Sequence, residues 1–130
     1  MIDWRSVLAV AVGAALGGVL RYLVGQVVLQ RIGPGFPYGT LLINVTGSFA
    51  IGVVAQLALS QAVGLPPIAR LFAATGVLGG YTTFSAFSLE AIGLMGEGGY
   101  VAAAIYTIAS IALGFGGAAF GILLTRLVAR

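Results

Sequence analysis

The chain has 130 residues, 60% of them hydrophobic and 7% charged, with a mean hydropathy of +1.13. A soluble domain carries about 25% charged residues, so this chain cannot cover a water-facing surface and reads as an all-α integral membrane protein. With no Cys and no His it has no disulfide, thiolate, zinc-finger or histidine-relay chemistry. The net charge of +3 comes entirely from Arg, and it reads as membrane topology rather than nucleic-acid binding.

The first predicted helix covers about residues 3–30. Its apolar run Val7–Leu20 follows a short flank with Asp3 and Arg5. A signal peptide is the competing reading. It fits less well, because the apolar pattern resumes after Arg21 with Tyr22-Leu23-Val24. Gly13 and Gly17 form a GxxxG pair, which suits close helix approach. Arg21 has two readings. It snorkels to the headgroups, or it is a cation at a pore mouth that draws anions in.

The segment Arg31-Ile-Gly-Pro-Gly-Phe-Pro-Tyr-Gly is dense in turn residues. Thr40 is the expected cap of a second helix over about 40–62. On it Asn44, Ser48 and Gly52 are four apart and share one face. An Asn deep in an apolar helix is costly unless it is bonded. It either ties two helices together or offers its amide to a passing ion.

After Val63-Gly64-Leu65-Pro66-Pro67, a third helix is expected over 67–96. At ~1.5 Å per residue it would be about 45 Å long, more than a ~30 Å hydrocarbon core requires. An interruption at Gly79–Thr83 resolves the excess. The stretch Gly79-Gly80-Tyr81-Thr82-Thr83-Phe84-Ser85-Ala86-Phe87-Ser88 has two helix-weakening glycines, then hydroxyls, then two Phe three apart. A backbone break at membrane depth must be buried in protein or line a watery path. The fourth helix, over 99–128, carries the stripe Tyr106, Ser110, Gly114 with Thr107 beside it, and a second GxxxG pair, Gly117 and Gly121. Four spans place both termini on one side with Arg5, Arg70, Arg126 and Arg130. Arg31 and Arg21 lie toward the other, a modest bias that favours cytoplasmic termini.

Glu90 is the single carboxylate inside a predicted span. It is either hydrated near the interface or the coupling group of a proton-driven exporter. No nucleophile–base set and no cluster of metal-ligating side chains occurs, so the chain does not read as an enzyme. The polar residues point to ions. Carbonyls freed by a break after Gly79 suit a small cation. The hydroxyls of Thr82, Thr83, Ser85 and Ser88, with Asn44 and Tyr106, add donors, and no Arg or Lys sits beside them. Aromatic ring edges are positive, so Phe84 and Phe87 can face an anion, although packing is the plainer role for two Phe on a membrane helix. Tight four-helix packing encloses little space, so a pore is expected between subunits.

The segments Gly76-Val-Leu-Gly-Gly-Tyr-Thr-Thr-Phe-Ser-Ala-Phe-Ser-Leu-Glu90, Gly39-Thr-Leu-Leu-Ile-Asn-Val-Thr-Gly-Ser48 and Gly17-Gly-Val-Leu-Arg-Tyr22 resemble the signatures of the Fluc (CrcB-type) fluoride channels. The resemblance runs the whole chain. It implies an antiparallel, dual-topology homodimer in the bacterial plasma membrane, with two fluoride pores and a central structural Na⁺. Phe84 and Phe87 resemble the ring edges lining the fluoride path, and Asn44 the pore asparagine. Tyr106 and Ser110, with Glu90 nearby, resemble the polar track, and Thr83 and Ser88 add hydroxyls. Arg21 resembles the vestibule arginine. Gly79 and Thr82 resemble the residues whose backbone carbonyls hold the Na⁺. Ala86 and Gly114 depart from the pattern, standing where relatives of this kind carry hydroxyls. Thr107 or water is a candidate to complete the track.

The function implied is passive fluoride export that confers resistance: HF enters, dissociates, and the anion leaves through the channel. A proton-coupled exporter using Glu90, and a non-transporting assembly protein with glycine-rich faces, are the alternatives.

Overall fold

The computed structural model describes residues 2–60 and 64–129. Helix α1, Trp4–Ile32, runs unbroken for 29 residues through Arg21. Asp3 caps it: its carboxylate accepts from the Ser6 hydroxyl at 2.7 Å and the Arg5 amide at 3.1 Å. Those bonds, Ser6 first, hold the Asp3 carboxyl below the usual carboxylate range. The helix stops at Gly33, whose φ of 95° is open to glycine but strained for other residues.

Helix α2, Tyr38–Leu59, begins earlier than expected. Pro37 is its N-cap, and Thr40, expected to cap, is buried inside the first turn. A Pro at the boundary has its φ already set and no N–H to satisfy, so it opens the helix without a side-chain cap. The expected end near Ala62 and the turn at Val63 lie outside the described residues, as does Arg130.

The third span is broken within the expected interval Gly79–Thr83, at its Thr82–Thr83 end. Helix α3 (67–81) starts with Pro67 at its first position, widens into a π-helical stretch over Leu71–Leu78, and closes with Gly79–Tyr81. The chain is extended at Thr82 (φ −79°, ψ 158°) and Thr83 (φ −152°, ψ 117°). Helix α4, Phe84–Gly96, follows, capped by the Thr83 hydroxyl, which accepts from the Ala86 amide at 3.2 Å. β-Branched Thr suits an extended backbone, and Thr is a favoured N-cap. The glycines serve packing instead. A Cβ on Gly80 would overlap the Ala14 carbonyl of α1. The π-helical stretch had no signal in the hydrophobic pattern. After a tight turn with Gly98 at φ 80°, helix α5, Tyr100–Val128, completes the bundle.

Helices α1, α2 and α5 are long and apolar enough to cross a membrane, and α3 and α4 together make the fourth, interrupted passage. The bundle assembles in two pairs, α1 on α3 and α2 on α5. Both GxxxG pairs face their partners' backbones. A Cβ on Gly13 would lie 2.6 Å from the Phe72 oxygen, and one on Gly17 would overlap the Val77 oxygen. On α5, a Cβ on Gly117 would lie 3.1 Å from the Val45 oxygen, and one on Gly121 would overlap that of Phe49. Without a hydrophobic drive between helices in lipid, such close backbone contact supplies the packing attraction. Arg126 donates to Gln56 at 3.0 Å, tying α5 to α2 near their ends.

Candidate ion pathway at the helix break

Asn44 of α2 holds the break open. Its Nδ2 donates to the Thr83 carbonyl at 2.9 Å, and its Oδ1 accepts from the Thr83 amide at 2.8 Å. In a continuous helix the Thr83 N–H would bond the Gly79 carbonyl. Asn44 takes that N–H, so the Gly79 carbonyl loses its helical partner. The amide thus makes the interhelical tie that was one of its two expected roles. A Cβ on Gly47, three residues on, would overlap the Thr82 methyl group, so α2 needs glycine where the break crosses it.

Two cavities meet at Thr83. The outer one, about 630 Å³, is lined by Arg21, Thr40, Thr83, Glu90 and neighbours from α1 and the α1–α2 turn. Here Glu90 is held on both oxygens. Thr40 donates to Oε1 at 2.8 Å and Tyr106 to Oε2 at 2.7 Å. The sequence concealed Thr40's role, because its place after a turn reads as a cap. Arg21 reaches the break and donates to the Thr82 carbonyl at 3.4 Å. It therefore bonds inward as well as lining this cavity. This corrects the expectation that no Arg sits beside the break, because α1 packs on α3 and brings a residue 61 positions away to Thr82.

The inner cavity, about 400 Å³, is lined by Asn44, Ser48, Phe84, Phe87, Ser110 and the Gly79–Thr83 backbone region. None of its lining residues is charged. The Phe84 and Phe87 rings are 5.6 Å apart and inclined at 44°. Phe87 also meets the Tyr106 ring at 5.2 Å, and Tyr106, fully buried, receives Phe36 edge-on at 5.5 Å. Phe84 by contrast is 78% exposed. Ser110 Oγ is buried here with no hydrogen-bond partner among the described residues.

Most of the expected site residues therefore converge. Arg21, Glu90 and Thr83 line the outer cavity. Asn44, Thr83, Phe84, Phe87, Ser110, Gly79 and Thr82 line the inner one. Tyr106 links them through Glu90 and Phe87. Ser88 lines neither, and its hydroxyl donates back to the Phe84 carbonyl at 2.9 Å. Thr107 also lines neither cavity.

A fold of apolar spanning helices around a broken segment defines a multi-pass membrane protein. Residues 8–122 match the family described as CrcB-like protein, Camphor Resistance (CrcB), and the chain belongs to that family. Curated relatives carry the name fluoride-specific ion channel FluC. One, from Rhizobium meliloti (strain 1021), is 54% identical over 109 residues, covering 84% of this chain and 86% of the relative. One from Nitrobacter winogradskyi is 48% identical over 127 residues, covering 98% and 100%. One from Roseiflexus sp. (strain RS-1) is 47% identical over 116 residues, covering 89% and 93%.

Proposed function

We propose that this protein is a fluoride-specific ion channel that lets cytoplasmic fluoride leave passively, down its electrochemical gradient. The observation that carries this reading is the inner cavity. Its walls combine two Phe rings, a buried Ser110 hydroxyl with no partner among the described residues, and no charged side chain. A buried polar group without a partner is costly and calls for a ligand or water. Conduction needs weak, successive binding, and a full countercharge in the narrow part would trap the anion. The names of the relatives supply fluoride as the ion.

The functional unit in this reading is an antiparallel homodimer with two pores and a structural Na⁺ between subunits. Its support is the break itself. Gly79 is exposed where it borders the inner cavity, with its carbonyl relieved of the Thr83 amide. Lipid cannot satisfy such a group, whereas a second copy with a shared hard cation can. The Gly79 and Thr82 carbonyls are suitable oxygen donors. Among the described residues the Thr82 carbonyl accepts from Arg21 alone, which leaves a lone pair available. When bound, the cation would satisfy the freed carbonyls and tie the two copies together. Bacterial plasma membrane is the matching location.

The test is purified protein in liposomes with a fluoride electrode. Fluoride release is expected with a K⁺ shunt alone, and chloride release far slower. Release that requires an imposed proton gradient would favour an exporter working through Glu90. No release of either ion would favour a non-transporting assembly role.

A further inference from the structure

Hydroxyls on membrane helices usually satisfy themselves by donating to the carbonyl one turn back. This chain does so repeatedly. Thr46 donates to Leu42, Thr82 to Leu78, Ser88 to Phe84 and Thr125 to Gly121, at 2.7–2.9 Å. Ser48 and Ser110 do not, although both sit within long helices. No hydrogen bond joins either to any described residue, and both line the inner cavity. Thr75 and Thr107 also lack such a bond, but neither faces that cavity. The two free serines belong to different helices, α2 and α5, which pack along one another. Their hydroxyls are thus withheld from the backbone on two neighbouring helices that border one uncharged space.

Gly114 shows why Ser48 matters. A Cβ at 114 would stand 3.6 Å from Ser48 Oγ, in ordinary contact, so α5 carries no side chain where Ser48 projects. One turn from Ser110, the α5 wall is bare, and the nearest side-chain group to it is the Ser48 hydroxyl. We propose that Ser48 is an anion-binding residue of the pathway, forming with Ser110 a two-hydroxyl position in the inner cavity. The inference rests on the fluoride-channel reading above. A partly dehydrated anion passing the Phe84 and Phe87 rings needs donors on more than one side, and these two side chains have unused protons. Ser48 would take the place of a hydroxyl that α5 lacks at Gly114.

The experiment compares fluoride efflux from liposomes for wild type, Ser48→Ala, Gly114→Ser and the double variant Ser48→Ala/Gly114→Ser. Gel filtration monitors assembly of each. Ser48→Ala is expected to slow fluoride efflux roughly tenfold, the scale of one lost hydrogen bond to a charged partner. Its gel-filtration profile should match wild type. The double variant should recover most of the rate, because a Ser at 114 returns a hydroxyl from the facing helix into space that the Cβ contact shows to be open. Efflux from Ser48→Ala at the wild-type rate would overturn the role of Ser48 while leaving the channel reading intact. Slow efflux with altered assembly and no rescue by Gly114→Ser would also overturn it, since that pattern marks a packing defect. Wild-type protein that moves no fluoride would overturn the channel reading and this inference together.

Discussion

The Asn44 carboxamide and the Thr83 peptide form a closed pair, each donating to the other, at 2.9 and 2.8 Å across two helices. The pair resolves a conflict. Backbone groups at a break in lipid are expensive, and a side-chain amide satisfies both with one residue. Asn44→Leu should therefore destabilise the protein by about 2 kcal/mol or more, because it strands a part-buried N–H and C=O. Asn44→Asp keeps the acceptor for the Thr83 amide but turns a second oxygen toward the Thr83 carbonyl and adds a carboxylate in the span, so it should be at least as costly. Thermal unfolding in detergent measures both. Hydrogen exchange at the Thr83 amide should accelerate in the Leu variant.

That pair also shows how far the sequence can be read. An Asn within an apolar helix announces an expensive polar group, and the hydroxyl-rich stretch after Gly79-Gly80 announces a break. Neither says that the two meet, because pairing across 39 residues depends on how the helices pack. Which residues within Gly79–Thr83 leave the helix was hidden for the same reason, and they are Thr82 and Thr83. Gly80 is required by close contact with Ala14, and Thr83 is fixed from α2. Both GxxxG faces were legible because small residues at i and i+4 have few other uses in a membrane helix. Thr40 and Ser48 were not, since a hydroxyl's role depends on what faces it. The π-helical stretch at Leu71–Leu78 left no periodic trace.

Adjacent glycines on α1 should respond in opposite ways to the same change. Gly17→Ala puts a methyl group into the Val77 carbonyl, where both sides are backbone and neither can rotate away. It should destabilise the protein by roughly 1–3 kcal/mol. Gly18→Ala meets nothing within 4 Å and should be neutral or stabilising by up to about 1 kcal/mol, through helix propensity alone. Melting temperatures of the two variants in one detergent decide the matter. Equal loss in both would show that α1 does not pack on α3 through this face.

Glu90 accepts from Thr40 and Tyr106 on separate oxygens, an arrangement that anchors the side chain in one place. An alternating proton carrier has to release such partners in each cycle. Glu90→Gln should consequently slow fluoride efflux while leaving it driven by voltage, with no response to an imposed pH gradient. Efflux recorded with a K⁺ shunt at equal and at stepped pH measures this. Tyr106→Phe removes one of the two donors and should slow efflux in the same direction, with the pH response again absent.

Phe84 and Phe87 differ in what else they do, and this separates pathway from packing. The Phe87 ring lies against Tyr106 inside the chain, so its loss removes core contact as well as a cavity wall. Phe84 is 78% exposed and touches the Phe87 ring at a centroid distance of 5.6 Å. Phe84→Ile therefore removes a ring edge at little cost to the protomer. It keeps apolar bulk for whatever covers that face, but an aliphatic side chain has no positive edge to offer an anion. Fluoride efflux should fall by at least tenfold in Phe84→Ile, whereas gel filtration and melting temperature should stay close to wild type. Phe87→Ile should lower both efflux and stability. Wild-type efflux in the Phe84 variant would remove its ring from the proposed path.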